Sequence, residues 1–289
     1  MRVTLHLGAH RCAMGSLLAH CAAEGRALSA AGLRVWGPDL LRDGRLAGLG
    51  GGRGKGRLAG RVRLRLAGEE GRRLAVCSPD LLGPLLAQLE RARLAPEACA
   101  RLDRLADAFG PVCDRIVIAV RDWRAYWTSA LLWGMALGRP APGPAMLERL
   151  VTQPRSWRRL TVEVAARFPE AEVLILPFER FAARPDAALA LMARELRLPP
   201  ARGRRPHLGT GPRGEALERL TGSARPWRPF APDQEEALAA LYESDLAWFR
   251  GGGAVLAGEA ILPSARGGSA RQGDERWARR DGSRERRAS

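Results

Sequence analysis

Hydrophobic positions along this chain follow two alternating rhythms. Short continuous apolar runs, the signature of strands buried on both faces, are separated by stretches whose apolar residues recur three and four apart, as on one side of a helix. Residues 2–7 form the first run, and Met14, Leu17, Leu18, Cys21, Gly25 and Leu28 then keep helical spacing to about residue 30. Further strands are predicted at 33–36, 73–77, 115–120 (Arg-Ile-Val-Ile-Ala-Val) and 173–176. Helices are predicted at about 80–91, 96–109, 123–137, 144–151, 155–168, 186–197 and 232–249. Strand and helix in alternation predict an α/β domain, a three-layer parallel sheet flanked by helices.

Three stretches break the rhythm. Residues 42–72 are rich in Gly and Arg and read as a mobile surface loop with one alternating strand at 61–66. Residues 199–230, dense in Gly, Pro and Arg, read as an irregular lid segment. Beyond Pro263 the pattern disappears, so the domain is assigned to 1–263 and a disordered basic tail to 264–289.

Composition sharpens this picture in a few respects. At 289 residues and 46% hydrophobic content the chain can bury a full core. No run reaches the roughly 18 apolar residues of a membrane span, and the apolar run after Arg2 is too short for a secretory signal. A soluble, cytoplasmic protein is therefore expected. Five cysteines (Cys12, Cys21, Cys77, Cys99, Cys113) lack paired spacing, so free thiols and no metal site are expected. The net charge of +16 draws the chain toward anions, yet only Lys55 among 47 basic residues is lysine. That is a chain-wide bias toward arginine, and without a recognition motif it predicts no specific nucleic-acid partner.

Two segments carry candidate chemistry. The first is the turn His10-Arg11-Cys12-Ala13-Met14-Gly15-Ser16, which joins a strand to a helix and so aims unpaired amides and a helix dipole at its hollow. It lacks the lysine-then-hydroxyl ending of a triphosphatase loop, and a plain ligand-free connection is the alternative. The second is Arg121, at the end of a buried strand, with Ser129 about two turns into the next helix. A guanidinium and a hydroxyl so placed converge on one phosphate, unless the segment is simply a helix cap with a solvated arginine.

Together these segments resemble the cytosolic and Golgi sulfotransferase family, whose donor is 3'-phosphoadenosine-5'-phosphosulfate. His10 to Ser16 align without a gap to the 5'-phosphosulfate loop of bacterial members, which reads His-Lys-Thr-Gly-Thr-Thr-Ser. Arg121 and Ser129, eight apart, match the family's 3'-phosphate motif, and residues 173–199 resemble its late strand and acidic turn. The likeness spans roughly residues 2–250.

The resemblance implies a nucleotide-kinase-like fold of the P-loop type and transfer of a sulfuryl group to a hydroxyl or amine acceptor, with that donor as co-substrate. It implies that Arg11, Cys12, Ala13, Met14, Gly15, Ser16, Arg121 and Ser129 hold the donor. Arg225 and Arg228 stand where the family keeps a basic loop over the 3'-phosphate, although solvated loop arginines fit the pattern too. Arg11, Asp80 and His10 are the candidate catalytic residues, with Asp80 or His10 as the base. Asp80 reads equally as a helix N-terminal carboxylate, and His10 as a structural residue of the turn.

Departures from the family pattern pose the functional question. Arg11 replaces a lysine, and Cys12, Met14 and Gly15 replace hydroxyl residues, so the amides of Ala13 to Ser16 must hold the anion with Ser16 as the one hydroxyl. Each lost charge-assisted bond is worth about 1.5–3 kcal/mol, or tenfold and more in affinity. Two readings follow: a working sulfotransferase, or an impaired relative that serves as a nucleotide-binding or interaction module. Trp123, Tyr126, Trp127 and Trp133 are assigned to the core rather than to adenine stacking. Neither the acceptor nor the oligomeric state is legible in the pattern.

Overall fold

The computed structural model describes residues 1–40, 55–198, 215–222 and 226–256. Its strands are β1 (Arg2–His6), β2 (Leu33–Trp36), β3 (Arg73–Cys77), β4 (Cys113–Val120), β5 (Glu172–Pro177) and β6 (Val255–Leu256). They form one parallel sheet in the order β2-β3-β1-β4-β5-β6, with Leu5 of β1 in register between Val76 and Ile116. The predicted α/β class holds. Its physical basis is visible in β1, β3 and β4, whose apolar residues are almost wholly buried because helices cover both faces.

The helices are α1 (Met14–Ala23), α2 (Gly25–Ala30), α3 (Pro38–Leu40), α4 (Lys55–Ala67), α5 (Leu85–Arg91), α6 (Ala98–Phe109) and α7 (Trp123–Ala136). After them come α8 (Pro144–Thr152), α9 (Trp157–Arg167), α10 (Phe178–Phe181), α11 (Pro185–Met192), α12 (Glu215–Thr221) and α13 (Pro232–Trp248). α1 packs against α11, α6 against α4 and α9, and α7 against α5 and α13.

The structure corrects several expectations. Residues 61–66, with Arg and apolar residues in alternation, are helical and belong to α4. Leu58, Val62 and Leu66, four apart, all reach the core, whereas Leu64 is 77% exposed; the helical spacing is satisfied and the alternation is not. The helix expected over 80–91 is split, because Gly83 takes φ 114° and Pro84 follows it. A 3-10 turn at Pro79–Leu82 precedes the break and α5 begins after it. The first long helix likewise breaks at Glu24, and α11 stops at Met192. Within the expected irregular stretch 199–230, Glu215–Thr221 is helical. Residues 41–54, Arg225 and the tail lie outside the described residues.

At the N-terminal edge of the sheet two buried arginines tie the strands together. Arg73 grips Asp114 with both terminal nitrogens at 2.7 and 2.9 Å, donates to Thr4 Oγ1 at 2.7 Å, and reaches Glu195 through Nε. Arg115 donates to Glu172 at 3.1 Å and to the Met192 carbonyl at 2.7 Å. Burying a guanidinium is tolerable only when its fork is filled in this way. The opposite, C-terminal edge is where the chain departs from β1 to β2, beyond β3 on one side, and from β4 to β5 on the other, which opens a crevice between the ends of β1 and β4.

Candidate functional site

Beyond β1 the chain stays alongside β4, with the Leu7 and Ala9 amides donating to Val117 and Ala119 carbonyls at 2.9 Å each. Gly8 then turns it at φ 97°, a conformation that strains any side chain, and a Cβ there would stand a tight 3.3 Å from the His10 nitrogen and 3.4 Å from Pro79 Cα. His6, at 2% exposure, accepts the Gly8 amide on Nδ1 at 3.3 Å, and burial lowers its pKa to about 4. Arg11 and Ala13 both adopt left-handed backbone, φ 59° and 63°, which costs a non-glycine residue about 1–2 kcal/mol. Strain of this kind persists where the surroundings enforce it.

α1 starts directly after this strained turn without a side-chain cap and without an acidic residue in its first turn. The positive end of its dipole is therefore uncompensated. Ser16 donates its amide to the Ala13 carbonyl at 3.0 Å, which narrows the expected amide set to Ala13, Met14 and Gly15. Its hydroxyl is buried and has no partner among the described residues, and Ser16 is among the residues around the cavity described below. Met14 and Cys12 are buried, whereas a Cβ on Gly15 would meet nothing within 4 Å. Cys12 faces the core, and burial pushes its thiol up to about 12, so it is a neutral wall residue there.

The second turn is built differently. Asp122 caps α7, its Oδ1 accepting the Arg124 and Ala125 amides at 2.9 and 3.3 Å, and it pairs with the Arg124 side chain at 2.6 Å. The helix-cap alternative thus belongs to Asp122, which frees Arg121 to point elsewhere. Arg121 lies 4.1 Å above the Phe178 ring and donates through Nη1 to the Arg11 carbonyl at 2.9 Å; its buried Nε has no partner among the described residues. Arg11 in turn donates through Nε to Ser129 Oγ at 3.0 Å, so the two turns are in direct contact. Among the described residues neither guanidinium is in an ion pair, and burial, followed by the charge of Arg121, lowers the Arg11 pKa.

Both turns open into one cavity of about 1290 Å³. It brings together His10, Arg11, Ala13, Met14, Gly15, Ser16, Asp80, Arg121, Ser129 and Arg228, while Cys12 is not on its wall and Arg225 is outside the described residues. Four carboxylates also line it. Asp122 is held as above, Glu235 pairs with Arg228 at 2.8 Å, and Glu179 accepts the Asp122 amide at 3.0 Å and the Tyr242 hydroxyl at 2.9 Å. Asp80 is left 62% exposed, its nearest partner His10 Nε2 at 3.6 Å. Ser78 rather than Asp80 caps the 3-10 turn, accepting the Asp80 amide at 3.3 Å. His10 Nε2 lies 2.9 Å from the Gly83 carbonyl and donates to it; burial lowers its pKa, so the ring is neutral.

Trp123, Tyr126 and Trp127 are fully buried, as the core assignment required, whereas Trp133 stands on the cavity wall. The buried aromatic cluster supports the second turn from below. Trp123 and Trp157 stack at 4.4 Å, and Trp157 donates its ring N–H to the Arg121 carbonyl at 3.0 Å. Asp245 of α13, at 2% exposure, accepts from the Trp123 ring and from the Trp157 and Arg158 amides, each at 3.1 Å. Sequence reasoning passed over Asp245 and Phe178. Their signals were an acid in line with Leu238 and Tyr242 on an apolar helix face, and an aromatic directly after a strand.

No protein-family model matches the chain, and neither does any curated protein. Among solved structures it is similar to a sulfotransferase from Alicyclobacillus acidocaldarius at 14% sequence identity and a TM-score of 0.46, over 87% of this chain and 95% of that one. No helix among the described residues is long and apolar enough to cross a membrane.

Proposed function

We propose that the chain binds 3'-phosphoadenosine-5'-phosphosulfate across the two turns and transfers its sulfuryl group to an acceptor hydroxyl or amine. The observation that carries this reading is the 3.0 Å contact of Arg11 with Ser129, which unites the two turns in one cavity around two guanidiniums that have no carboxylate partner among the described residues. The unpartnered Ser16 hydroxyl and Arg121 Nε fit an anionic ligand with several acceptor oxygens. When bound, the donor supplies an activated sulfur: the acceptor oxygen or nitrogen bonds to it as the bond to the nucleotide phosphate breaks, the electron pair leaving on phosphate.

The residues divide the work by their surroundings. Arg11 and the α1 N-terminus oppose the charge that grows on the leaving phosphate. Arg121 and Ser129 hold the 3'-phosphate, with Arg228 at the rim. Asp80 takes the acceptor proton, since it is the exposed carboxylate of the cavity and the other three are engaged. His10 steadies the Asp80 segment.

The loop itself favours a second reading, a nucleotide binder without turnover, because Ser16 is the sole hydroxyl between His10 and Ser16. Calorimetric titration with 3'-phosphoadenosine-5'-phosphate tests what the two share, and absence of binding at millimolar ligand removes both. Transfer of radiolabelled sulfate from the donor to hydroxyl or amine acceptors then separates enzyme from binder.

A further inference from the structure

The second turn is held from a distance by one helix. Tyr242 and Asp245 stand three apart on α13, and so on one face of it, and both are buried. Tyr242 donates its hydroxyl to one oxygen of Glu179 at 2.9 Å, and the other oxygen of that carboxylate accepts the Asp122 amide at 3.0 Å. Asp245 accepts the Trp157 amide at 3.1 Å, and the ring N–H of the same tryptophan donates to the Arg121 carbonyl at 3.0 Å. The Arg121 carbonyl and the Asp122 amide belong to a single peptide group, planar, with its two polar atoms pointing opposite ways. Two relays from one helix face therefore pin one peptide from both sides.

That peptide sets where the Arg121 side chain leaves the backbone. The Tyr242 relay also steadies Phe178, the residue before Glu179, whose ring lies 4.1 Å beneath the Arg121 guanidinium. The start of α7 needs neither relay for its own cap, because the Asp122 carboxylate already accepts the Arg124 and Ala125 amides. A guanidinium held in place beforehand loses less freedom when an anion arrives, so its share of the binding energy is larger. On the premise of the nucleotide reading above, we infer that Tyr242 and Asp245 are positioning residues that set the preference for a 3'-phosphorylated nucleotide, acting through Glu179 and Trp157 on the peptide that aims Arg121.

The test is calorimetric titration of the full chain with 3'-phosphoadenosine-5'-phosphate and with adenosine 5'-phosphate, which differ only in the 3'-phosphate. Tyr242→Phe, which removes one hydroxyl, and Asp245→Asn should each weaken the first by about tenfold and leave the second within about twofold. In an Arg121→Ala background the same substitutions should cost nothing further on either nucleotide, because the group they aim is gone. Should Asp245→Asn fail to fold, Tyr242→Phe decides alone. Equal losses on both nucleotides, no loss, or a loss that persists without Arg121 overturns the proposal, marks the relays as scaffold and leaves the nucleotide reading standing. A parent chain that binds neither nucleotide, or both equally, overturns the 3'-phosphate site itself, and the positioning role falls with it.

Discussion

The turns after β1 and β4 solve the same local problem, a strand feeding a helix, in opposite ways. The second fills its own helix end: Asp122 takes the first amides of α7 and neutralises the dipole, so its contribution to the cavity comes from the side chains of Arg121 and Ser129. The first leaves its helix end open, with no cap on α1, and bends through two left-handed residues to do so. An open helix end leaves its amides available to an anion, whereas a capped one has them filled. Under the proposed function the difference assigns the anion in the first turn to backbone amides rather than to side-chain hydroxyls, of which Ser16 offers one.

Acid should separate the two turns most strongly. His6 supports the first turn as a neutral acceptor, with a folded pKa of about 4 against 6.5 when free. A depressed histidine stabilises fully above 6.5 and loses that contribution as pH falls toward 4, a loss of roughly 3 kcal/mol. Asp122 works in a lower window. Burial opposes its charge, but hydrogen bonds from Arg124 and Ala125 prevail and hold the carboxyl below 3.8, so the second turn keeps its cap until acid passes that point. Urea unfolding at pH 6.5 and near pH 4 measures the difference; a His6→Gln chain with the same pH slope as the parent would show that the effect lies elsewhere.

Arg11→Ala should cost about 1.5–3 kcal/mol of nucleotide binding, tenfold to a hundredfold by calorimetry. Arg121→Ala should match it for 3'-phosphoadenosine-5'-phosphosulfate and lose little for adenosine 5'-phosphosulfate. Equal losses on both nucleotides would deny the second turn its 3'-phosphate. Asp122→Ala should lower stability by about 1 kcal/mol through the lost cap, read as a lower melting temperature. Smallest of all, Gly15→Ser places a hydroxyl where a Cβ meets nothing within 4 Å and should tighten the nucleotide by a few-fold, about 0.5–1 kcal/mol. Weaker binding would mean that the anion sits away from the α1 N-terminus.

Much of the scaffold was legible because buried parallel strands write themselves as apolar runs; β2 and β3 fall where the pattern put them. Periodicity failed where two spacings coexisted. Arg61, Arg63 and Arg65 alternate with apolar neighbours as in a strand, and only Leu58, Val62 and Leu66 disclose the helix. The two-residue β6 is too short to leave a pattern. At the site, helical spacing related Arg121 to Ser129 and the resemblance added Arg11, but the sequence was blind to direction: that Cys12 faces the core, that the Ser16 amide is already taken, and that Asp122 frees Arg121 are facts of backbone geometry. Asp245 acts from α13 through two tryptophans, a relation across the fold that no local window contains.

The arginines at the other edge of the sheet give the molecule a direction of yielding. A guanidinium keeps its proton at any pH the fold survives, so the clamp of Arg73 on Asp114 loosens only when that carboxyl, held below 3.8 against its burial by Arg73, finally protonates. Mild acid should then fray the sheet from its C-terminal rim while the strand beginnings stay shut. Amide exchange should speed up first around residues 8–16 and last around Thr4, Leu74 and Arg115, which would make the mouth of the cavity the end that opens first.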